Sequence, residues 1–401
     1  MFIGIAAGFF LGLGVYLGYL PQEISSFSKW LGSVFLSLLK MIIIPLIFAS
    51  IIVAVGGLND IARLGKLGVT TMVYYFFTTA LAVMVGLVLV NIVQPGVGAQ
   101  LNLHEIPDKV SKGGDDSLLS LFARLILEAI PTNIIKSITE MDILAIIFFA
   151  IFFGYVLALV GKKGDAVRGF FEGLNEIMMR MTSIILRLAP YGVGAMVVPI
   201  IGEVGLEAIG TLLGYSMTVL LGLGVHAVIT LPLLLFIFTK SSPFEYFRNM
   251  LPAISTAFGT ASSSATLPVT IKCAEENGKV RSETASFVLP VGATINMDGT
   301  ALYESIAVMF IAQAYGIELT LTQQLIVFIT ATLASVGAAG IPSAGLVMMG
   351  VVLNAVGLPL EGIGLILAVD RILDMFRTAI NVWGDSIGAR ILDTINNPSR
   401  P

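Results

Sequence analysis

The sequence predicts an all-α membrane protein with eight transmembrane helices, two re-entrant helical hairpins and an inverted repeat. Composition is the first observation behind this prediction: 56% of the 401 residues are hydrophobic and only 12% are charged. Soluble domains carry about twice that charged fraction, which argues against a large soluble helical protein. The second observation is that several apolar runs reach the roughly 20 residues that a helix needs to cross a bilayer. The third is the distribution of basic residues between these runs.

Six spans precede the first hairpin. The segments are 1–20, 41–56, 67–93, 118–161 with a break at EAIPTN, 170–200 and 206–239. Loops with several basic residues alternate along the chain with loops that have few or none. Because basic loops remain in the cytoplasm, this alternation predicts a cytoplasmic N-terminus.

Two segments break the alternation, and each is predicted to enter and leave the membrane on one side. Segment 250–271 has basic residues on both flanks, whereas segment 322–358 has none on either flank. We therefore expect one hairpin from the cytoplasm and one from outside. Their centres, FGTASSSATLP and SVGAAGIPSAG, contain the small residues and glycines that suit a non-helical tip. Two ordinary helices packed through small residues are the alternative.

A further span follows each hairpin, at 281–315 and at 359–395. Hairpin-plus-helix thus occurs twice with opposite insertion, which is an inverted repeat. Inverted repeats with interrupted helices place a binding site near the membrane midplane.

The last span carries a polar stripe within DRILDMFRTAINVWGD, residues 370–385. At about 100° per residue, its polar members fall within a roughly 100° arc, and apolar residues cover the rest. The polar stripe consists of Asp370, Asp374, Arg377, Thr378, Asn381 and Asp385. Ionisable residues inside a membrane are costly and mark a substrate or ion path. A salt-bridge network that only joins helices is the alternative.

Arg377 and Asp374 indicate the class of ligand. A guanidinium is a planar fork that suits a carboxylate, and Asp374, one turn away, accepts hydrogen bonds from an ammonium group. The two side chains either neutralise each other or bracket a zwitterion with an additional carboxylate, which is an acidic amino acid. Thr378 and Asn381 add neutral hydrogen bonds, and Asp385 is better placed for a cation.

The companion span contains VGATINMDGTALYE, where Asn296, Asp298 and Gly299 interrupt an apolar helix. Unwound carbonyls and carboxylates are hard oxygen ligands for small cations, so sodium is the expected ion and proton coupling the alternative. Glu304 is a candidate for protonation or cation exchange, unless it faces a water-filled cavity. The side chains that usually bind a metal cofactor are few: two histidines, His104 and His226, which are far apart in sequence, and one cysteine. No cofactor is therefore expected.

Four motifs in order along the chain, SSSATLPVT, NMDGTALYE, GAAGIPSAG and DRILDMFRTAINVWGD, resemble the glutamate transporter homologue family. This is the dicarboxylate/amino acid:cation symporter family, and some features are close to animal excitatory amino acid transporters. The resemblance extends over essentially the whole chain. It implies sodium-coupled symport of L-aspartate or L-glutamate by a homotrimer in the plasma or inner membrane, with both termini cytoplasmic and no enzymatic activity.

The resemblance also implies two domains in each subunit. A static scaffold that forms the trimer comprises residues 1–66 and 118–205, and a mobile transport domain comprises residues 67–97 and 206–401. The transport domain slides across the membrane as an elevator, with the second hairpin as the outer gate.

The ligand positions that follow are implied by the resemblance. Substrate is expected at Ser263, Ser264, Thr300, Ile341, Gly345, Asp374, Arg377, Thr378 and Asn381. One sodium ion is expected at Gly292, Asn296, Asn381 and Asp385. A second is expected at Thr294, Met297, Ser335, Val336 and Ala338, and a third at Tyr75, Thr78, Thr79, Asn296 and Asp298. Asp374 is expected to bind the amino group and Arg377 the side-chain carboxylate.

Differences within the family refine the expected substrate and ions. Dicarboxylate carriers tend to lack the acid at Asp374, neutral amino acid carriers the arginine at Arg377, and proton-coupled members the acid at Asp385. This chain keeps all three, although a neutral amino acid exchanger and a proton-coupled C4-dicarboxylate symporter remain as alternatives. Glu304 matches the animal transporters, which also move a proton and return potassium.

One departure from the family concerns charge beside the site. Relatives carry an additional arginine at one of two positions, which are Ala261 and Met375 in this chain. The additional positive charge is therefore expected to be missing, and Asp374 to be less neutralised.

Two other classes of function are disfavoured by the motifs. A channel requires a pore lined by repeated polar rings, whereas these polar groups converge on one locus. A serine enzyme requires a base, and the SSSAT segment has no histidine or lysine in it or beside it.

Overall fold

The computed structural model describes residues 2–56, 66–98, 130–140, 143–204, 207–337 and 344–396. Within these ranges the chain is helical and has no β-strand. Three stretches are long and apolar enough to cross a membrane: Leu67–Val93, Ala145–Met181 and Gly210–Thr239. These features agree with the predicted class of helical membrane protein.

The helices are numbered here in chain order over the described residues. The first eight are α1 (Phe2–Tyr16), α2 (Gln22–Gly56), α3 (Lys66–Val93), α4 (Ile134–Thr139), α5 (Ile143–Val160), α6 (Asp165–Arg187), α7 (Ala189–Val204) and α8 (Glu207–Val225). The second eight are α9 (Leu231–Thr239), α10 (Pro243–Thr260), α11 (Ser263–Glu276), α12 (Ser282–Ile295), α13 (Asp298–Ala314), α14 (Leu321–Ala334), α15 (Ala344–Ala355) and α16 (Ile363–Asn396).

Two groups of helices pack mainly among themselves. In the first group, α2 contacts α5, α6 and α7, and α1 lies along α7. In the second group, α13 contacts α3, α15 and α16, while α16 also contacts α8 to α12. The groups meet where α7 contacts α16 and where α2 contacts α15. Nearly every residue of α13 is buried, including Asp298 and Glu304, which places this helix at the centre of the bundle.

The outer surface is strongly apolar. Phe10, Phe152, Ile177 and Leu221 are each more than half exposed. Water would penalise such a surface, whereas lipid chains accommodate it. The long apolar runs therefore supply the exterior of the bundle, and the polar stripe of α16 is turned inward.

α10 and α11 form an antiparallel hairpin that turns at Ala261 and Ser262. Ala261 adopts a left-handed conformation with φ of 50°, and the Ser262 side chain caps α11 by accepting a bond from the amide of Ala265 at 3.2 Å. At the open end, the Asn249 amide donates to the Asn277 carbonyl at 3.1 Å. Two short helices in this sequence thus form one closed unit.

α14 and α15 form a second packed pair. The helical turn Ser335–Gly337 follows α14, and α15 begins at Ala344. The predicted tip, SVGAAGIPSAG, lies partly outside the described residues. The part that is described contacts α2, α12 and α13.

Two breaks in helical geometry place polar groups in the interior. α12 ends at Ile295, and Asn296 and Met297 leave the helical conformation before α13 begins at Asp298. This is the interruption predicted from the NMDG sequence. The second break is a π-helical turn, His226–Thr230, between α8 and α9. Such turns are rare and frequently occur at functional sites.

Candidate functional site

Arg377 lies at the centre of the polar site and is only 1% exposed. Its Nη2 donates to Oδ1 of Asp374 at 2.8 Å, and its Nη1 is 3.0 Å from Oδ1 of Asp370. The guanidinium carbon lies 3.8 Å from the centre of the Tyr303 ring, and the Tyr303 hydroxyl donates to Asp370 at 2.9 Å. A buried arginine requires such partners, so two carboxylates and an aromatic face hold this guanidinium in one orientation.

Asp374 pairs with a second arginine that the sequence analysis did not consider. Nη1 of Arg371 lies 3.4 Å from Oδ2 of Asp374, on the side opposite to Arg377. The expectation that Asp374 lacks an additional positive neighbour is therefore wrong. The charge absent from positions 261 and 375 is supplied from position 371, because residues three apart on a helix face each other.

The neutral substrate residues on α16 and α13 converge on the same place. Asn381 accepts a bond from the Gly299 amide at 2.8 Å and donates to the Thr300 hydroxyl at 3.3 Å. Thr378 donates to the Asp374 carbonyl within its own helix at 2.8 Å. These side chains all lie on the inward face of α16 or in the first turn of α13.

Both helix pairs approach this face. Gly345 lies so close that a Cβ there would be 3.1 Å from the Thr300 methyl group and 3.4 Å from Nη1 of Arg377. Ser263 and Ser264 form the first turn of α11, where Ser263 is buried and Ser264 is exposed. α11 contacts α16, and the Phe258 and Phe376 rings meet edge to face at 5.0 Å. Ile341 lies outside the described residues.

The residues expected to hold a third sodium ion are close together. Asp298 is fully buried, and its Oδ1 accepts from Thr79 at 2.8 Å. The Thr78 hydroxyl lies within 3.3 Å of three acceptors, namely the carbonyl of Tyr75, Oδ1 of Asn296 and Oδ1 of Asp298. One hydroxyl proton cannot satisfy three acceptors. The excess of buried oxygen is the arrangement that a small hard cation favours.

A neighbouring set, expected to hold one sodium ion, is built around Asp385. The Asn296 amide donates to Oδ1 of Asp385 at 2.9 Å. Gly292 lies directly against both the Asp385 carboxylate and the Tyr75 hydroxyl, since a Cβ at position 292 would be 2.5 Å from either oxygen. Asn381 lies one turn before Asp385 on α16. Asn296 therefore joins the Asp298 and Asp385 sets through the two ends of its amide.

The remaining sodium set is only partly assembled among the described residues. The Ser335–Gly337 turn contacts α12 and α13, so Ser335 and Val336 approach the interruption at Met297. Thr294 is exposed, and its hydroxyl donates to the Val291 carbonyl in its own helix at 2.9 Å. Ala338 lies outside the described residues.

Glu304 is fully buried on α13. Neither carboxyl oxygen has a hydrogen-bond partner among the residues that the structure describes. A carboxylate buried in this way is costly unless a proton or a cation accompanies it. The side chain is thus suited to exchange of a cation, whereas a structural carboxylate would have partners.

Sequence reasoning missed several residues that the structure brings to the site. His226 is fully buried, and its Nε2 lies 3.2 Å from Oδ2 of Asp298. The π-helical turn that carries it leaves the Ala227 carbonyl to accept a bond from Trp383 at 3.1 Å. A histidine within the apolar segment before LPLLLF was the available signal. Tyr303 gave no signal beyond its position one residue before Glu304.

Comparisons with known proteins identify the family to which this chain is similar. The sequence model of the sodium:dicarboxylate symporter family matches residues 1–395. Excitatory amino acid transporter 1 of Ambystoma tigrinum is 38% identical, with 98% of this chain and 82% of that protein covered. An excitatory amino acid transporter of Caenorhabditis elegans is 38% identical, with 97% and 85% covered. Human excitatory amino acid transporter 2 is 40% identical, with 92% and 75% covered.

Proposed function

Because the chain belongs to the sodium:dicarboxylate symporter family, we propose that it is a sodium-coupled secondary active symporter of L-aspartate or L-glutamate. The relatives reported above are transporters, and this chain is a multi-pass membrane transporter and not an enzyme. The observation that carries the choice of substrate is the buried pair of Arg377 and Asp374, 2.8 Å apart.

An acidic amino acid, on binding, replaces contacts that side chains of the protein make with one another. The side-chain carboxylate of the substrate binds Arg377, whose guanidinium is already oriented by Asp370 and by the Tyr303 ring. The ammonium group binds Asp374, and the neutral groups of Thr300, Thr378 and Asn381 bind what remains. A neutral amino acid has no side-chain carboxylate for Arg377, and this disfavours the neutral exchanger.

Sodium ions bind at the two acidic sets. Asp298 and Asp385 lie in the interior, and bound cations offset the cost of burying their charges. Asn381 connects these sets to the substrate, because it lies between Asp385 and Arg377 and also fixes the Gly299 amide and the Thr300 hydroxyl. Ordering of Asn381 by sodium prepares the substrate site, and this shared residue couples the two binding events.

The proposed architecture has eight spans and two re-entrant hairpins, in a plasma or inner membrane and with both termini cytoplasmic. A scaffold of residues 1–66 and 118–205 forms a homotrimer, and residues 67–97 and 206–401 move as an elevator. Support comes from the helix contacts, since α1, α2, α5, α6 and α7 pack among themselves and α3 packs with helices of the other group, namely α8, α12, α13, α14 and α16. Gly345, which lies against Arg377, supports the second helix pair as the outer gate.

Glu304 is proposed to couple a proton or potassium to the return step. The support for this role is that Glu304 is buried and that its carboxyl oxygens have no hydrogen-bond partner among the described residues. It also lies one residue after Tyr303, whose ring contacts Arg377. Tyr303 and Glu304 are adjacent on α13. Release of substrate at Arg377 and gain of a cation at Glu304 are thereby linked through neighbouring residues.

The proposed function is tested by uptake of radiolabelled L-aspartate into proteoliposomes under an inward sodium gradient. Uptake by the parent is expected, and Arg377→Ala is expected to lose about 100-fold or more, because charge-assisted bidentate bonds are among the strongest hydrogen bonds. Arg390→Gln is the matched control, since it removes an arginine from the same helix that bonds the Lys279 carbonyl instead. Uptake that needs no sodium, or that survives Arg377→Ala, would exclude this assignment.

A further inference from the structure

Arg371 extends the charges of α16 beyond the polar stripe. The side chains alternate in sign in the order Asp370, Arg377, Asp374 and Arg371, with separations of 3.0, 2.8 and 3.4 Å. Their exposed fractions rise in the same order, from 0% and 1% to 7% and 32%. The series therefore begins in the protein interior and ends at an exposed arginine.

We propose that Arg371 is a specificity-determining residue, the resident counter-ion of Asp374. The ammonium group of an amino acid displaces it, whereas it stays paired when a C4-dicarboxylate without an amino group binds. Because Asp374 is taken as the ammonium site, this inference rests on the function proposed above. It extends the substrate range to amine-free dicarboxylates, which bind more weakly than aspartate.

The two arginines beside Asp374 differ in how firmly they are held. Arg377 is buried between Asp370 and Asp374 and lies over the Tyr303 ring, so its movement would leave a buried charge unpaired. Arg371 is one-third exposed, and its distance to Asp374 is 0.6 Å longer than that of Arg377, 3.4 Å against 2.8 Å. An ion pair whose arginine is partly exposed is screened by water and contributes less than a fully buried pair. An incoming ammonium group therefore replaces Arg371 at Oδ2 and leaves Arg377 in place.

The same pair determines what happens to a ligand without an ammonium group. Without Arg371, Asp374 would have only Arg377 as a partner and would share it with the ligand. Asp374 would then repel the ligand's carboxylates. Arg371 neutralises Asp374 from the other side, so the site remains compatible with two ligand carboxylates. The ligand forgoes the ammonium–Asp374 contact, which makes its affinity lower.

The test compares L-aspartate with succinate, which has the same two carboxylates and no amino group. Both affinities are measured in saturating sodium by displacement of radiolabelled aspartate from the purified full chain in detergent. The parent is expected to bind both. Arg371→Gln is expected to raise the ratio of the succinate Kd to the aspartate Kd about 5-fold, the size of a partly exposed ion pair. Arg371→Lys retains the charge and is expected to keep the parent ratio within about 2-fold.

Arg390→Gln serves as the control for a lost positive charge elsewhere on α16, and it should leave the ratio unchanged. The inference is wrong if the parent binds aspartate but not succinate, if Arg371→Gln leaves the ratio unchanged or abolishes aspartate binding, or if Arg390→Gln shifts the ratio equally. A parent that shows no sodium-dependent aspartate binding would instead refute the proposed function. The two failures are thereby distinguished.

Discussion

The proposed substrate region and the proposed cation region differ in how their buried charges are paired. Around Arg377, each charged side chain on α16 has an opposite charge within 3.4 Å, so the protein balances its own charges. Around Asp298 and Asp385, the contacts come from hydroxyls, amides and one histidine, and no lysine or arginine pairs with either acid in the described part of the chain. The first region accords with the proposed exchange of one ion pair for another, and the second with the proposed binding of sodium ions, which would offset the charge of the two acids.

The cation region should be the more sensitive to loss of an acid. Asp298→Asn is expected to lower sodium affinity by about 100-fold, because it removes the charge on which the buried oxygens of Thr78, Thr79 and Asn296 converge. The measurement is the sodium concentration that half-saturates aspartate uptake in proteoliposomes.

Asp393→Asn provides the control for this substitution. Asp393 is also buried and accepts bonds from Arg281 and Thr284 at 2.8 Å, away from the cation region. Equal losses of sodium affinity in both variants would mean that any buried acid matters, and the contrast between the regions would fail.

The substrate region should tolerate an isosteric change better. Asp370→Asn removes one charge from Arg377 but retains an oxygen for the Tyr303 hydroxyl. We expect aspartate affinity to fall about 10-fold, as for loss of one charged hydrogen bond, while the affinity for sodium alone changes by less than about 2-fold. Isothermal titration of each ligand measures both values. A larger effect on sodium than on aspartate would contradict the separation of the two regions.

His226 should affect the cation region moderately. Its Nε2 donates to Oδ2 of Asp298, which orients Oδ1 towards Thr79. His226→Phe is expected to weaken sodium binding about 5-fold, whereas His226→Gln, which retains an N–H donor, should recover most of the loss. The sodium dependence of aspartate binding distinguishes the two variants. Equal sodium dependence in His226→Phe and His226→Gln would show that the histidine does not position Asp298.

Glu304 should have the smallest effect on sodium-dependent exchange of aspartate. Its carboxyl touches neither region through a hydrogen bond among the described residues, so Glu304→Gln is expected to leave the initial rate of exchange within about 2-fold. The variant should instead lose the stimulation of net uptake by internal potassium and its dependence on pH. Persistence of both dependences in Glu304→Gln would exclude Glu304 from the coupling of either ion.

The sequence was most informative where polar residues or helix breaks occur in segments expected to lie in the membrane. The polar stripe of α16 and the break at Asn296 stand out because lipid disfavours both charges and open backbone. The structure confirms the break and brings Thr78 and Thr79 onto Asp298 and Tyr75 beside Gly292, although the partners lie about 220 residues apart in the chain. These three residues lie in an apolar span of ordinary composition, so the sequence alone gave only weak evidence that they bind a cation.

Other features depend on side-chain geometry that spacing does not reveal. Arg371 lies three residues before Asp374, a spacing that permits a contact, but the conformation of its side chain decides whether it turns to that acid. His226 is the first residue of a π-helical turn and reaches Asp298, and no residue pattern in HAVIT predicts that turn. The contacts of the Ile341 segment depend on residues beyond the described ranges.

The most direct test of the account is equilibrium binding of L-aspartate with and without sodium, measured for the parent and for Arg377→Ala. We expect sodium to raise aspartate affinity in the parent by more than about 10-fold, because both ligands order Asn381. We also expect Arg377→Ala to bind sodium but not aspartate. Aspartate affinity that is equal in the presence and absence of sodium would contradict the coupling of the two regions.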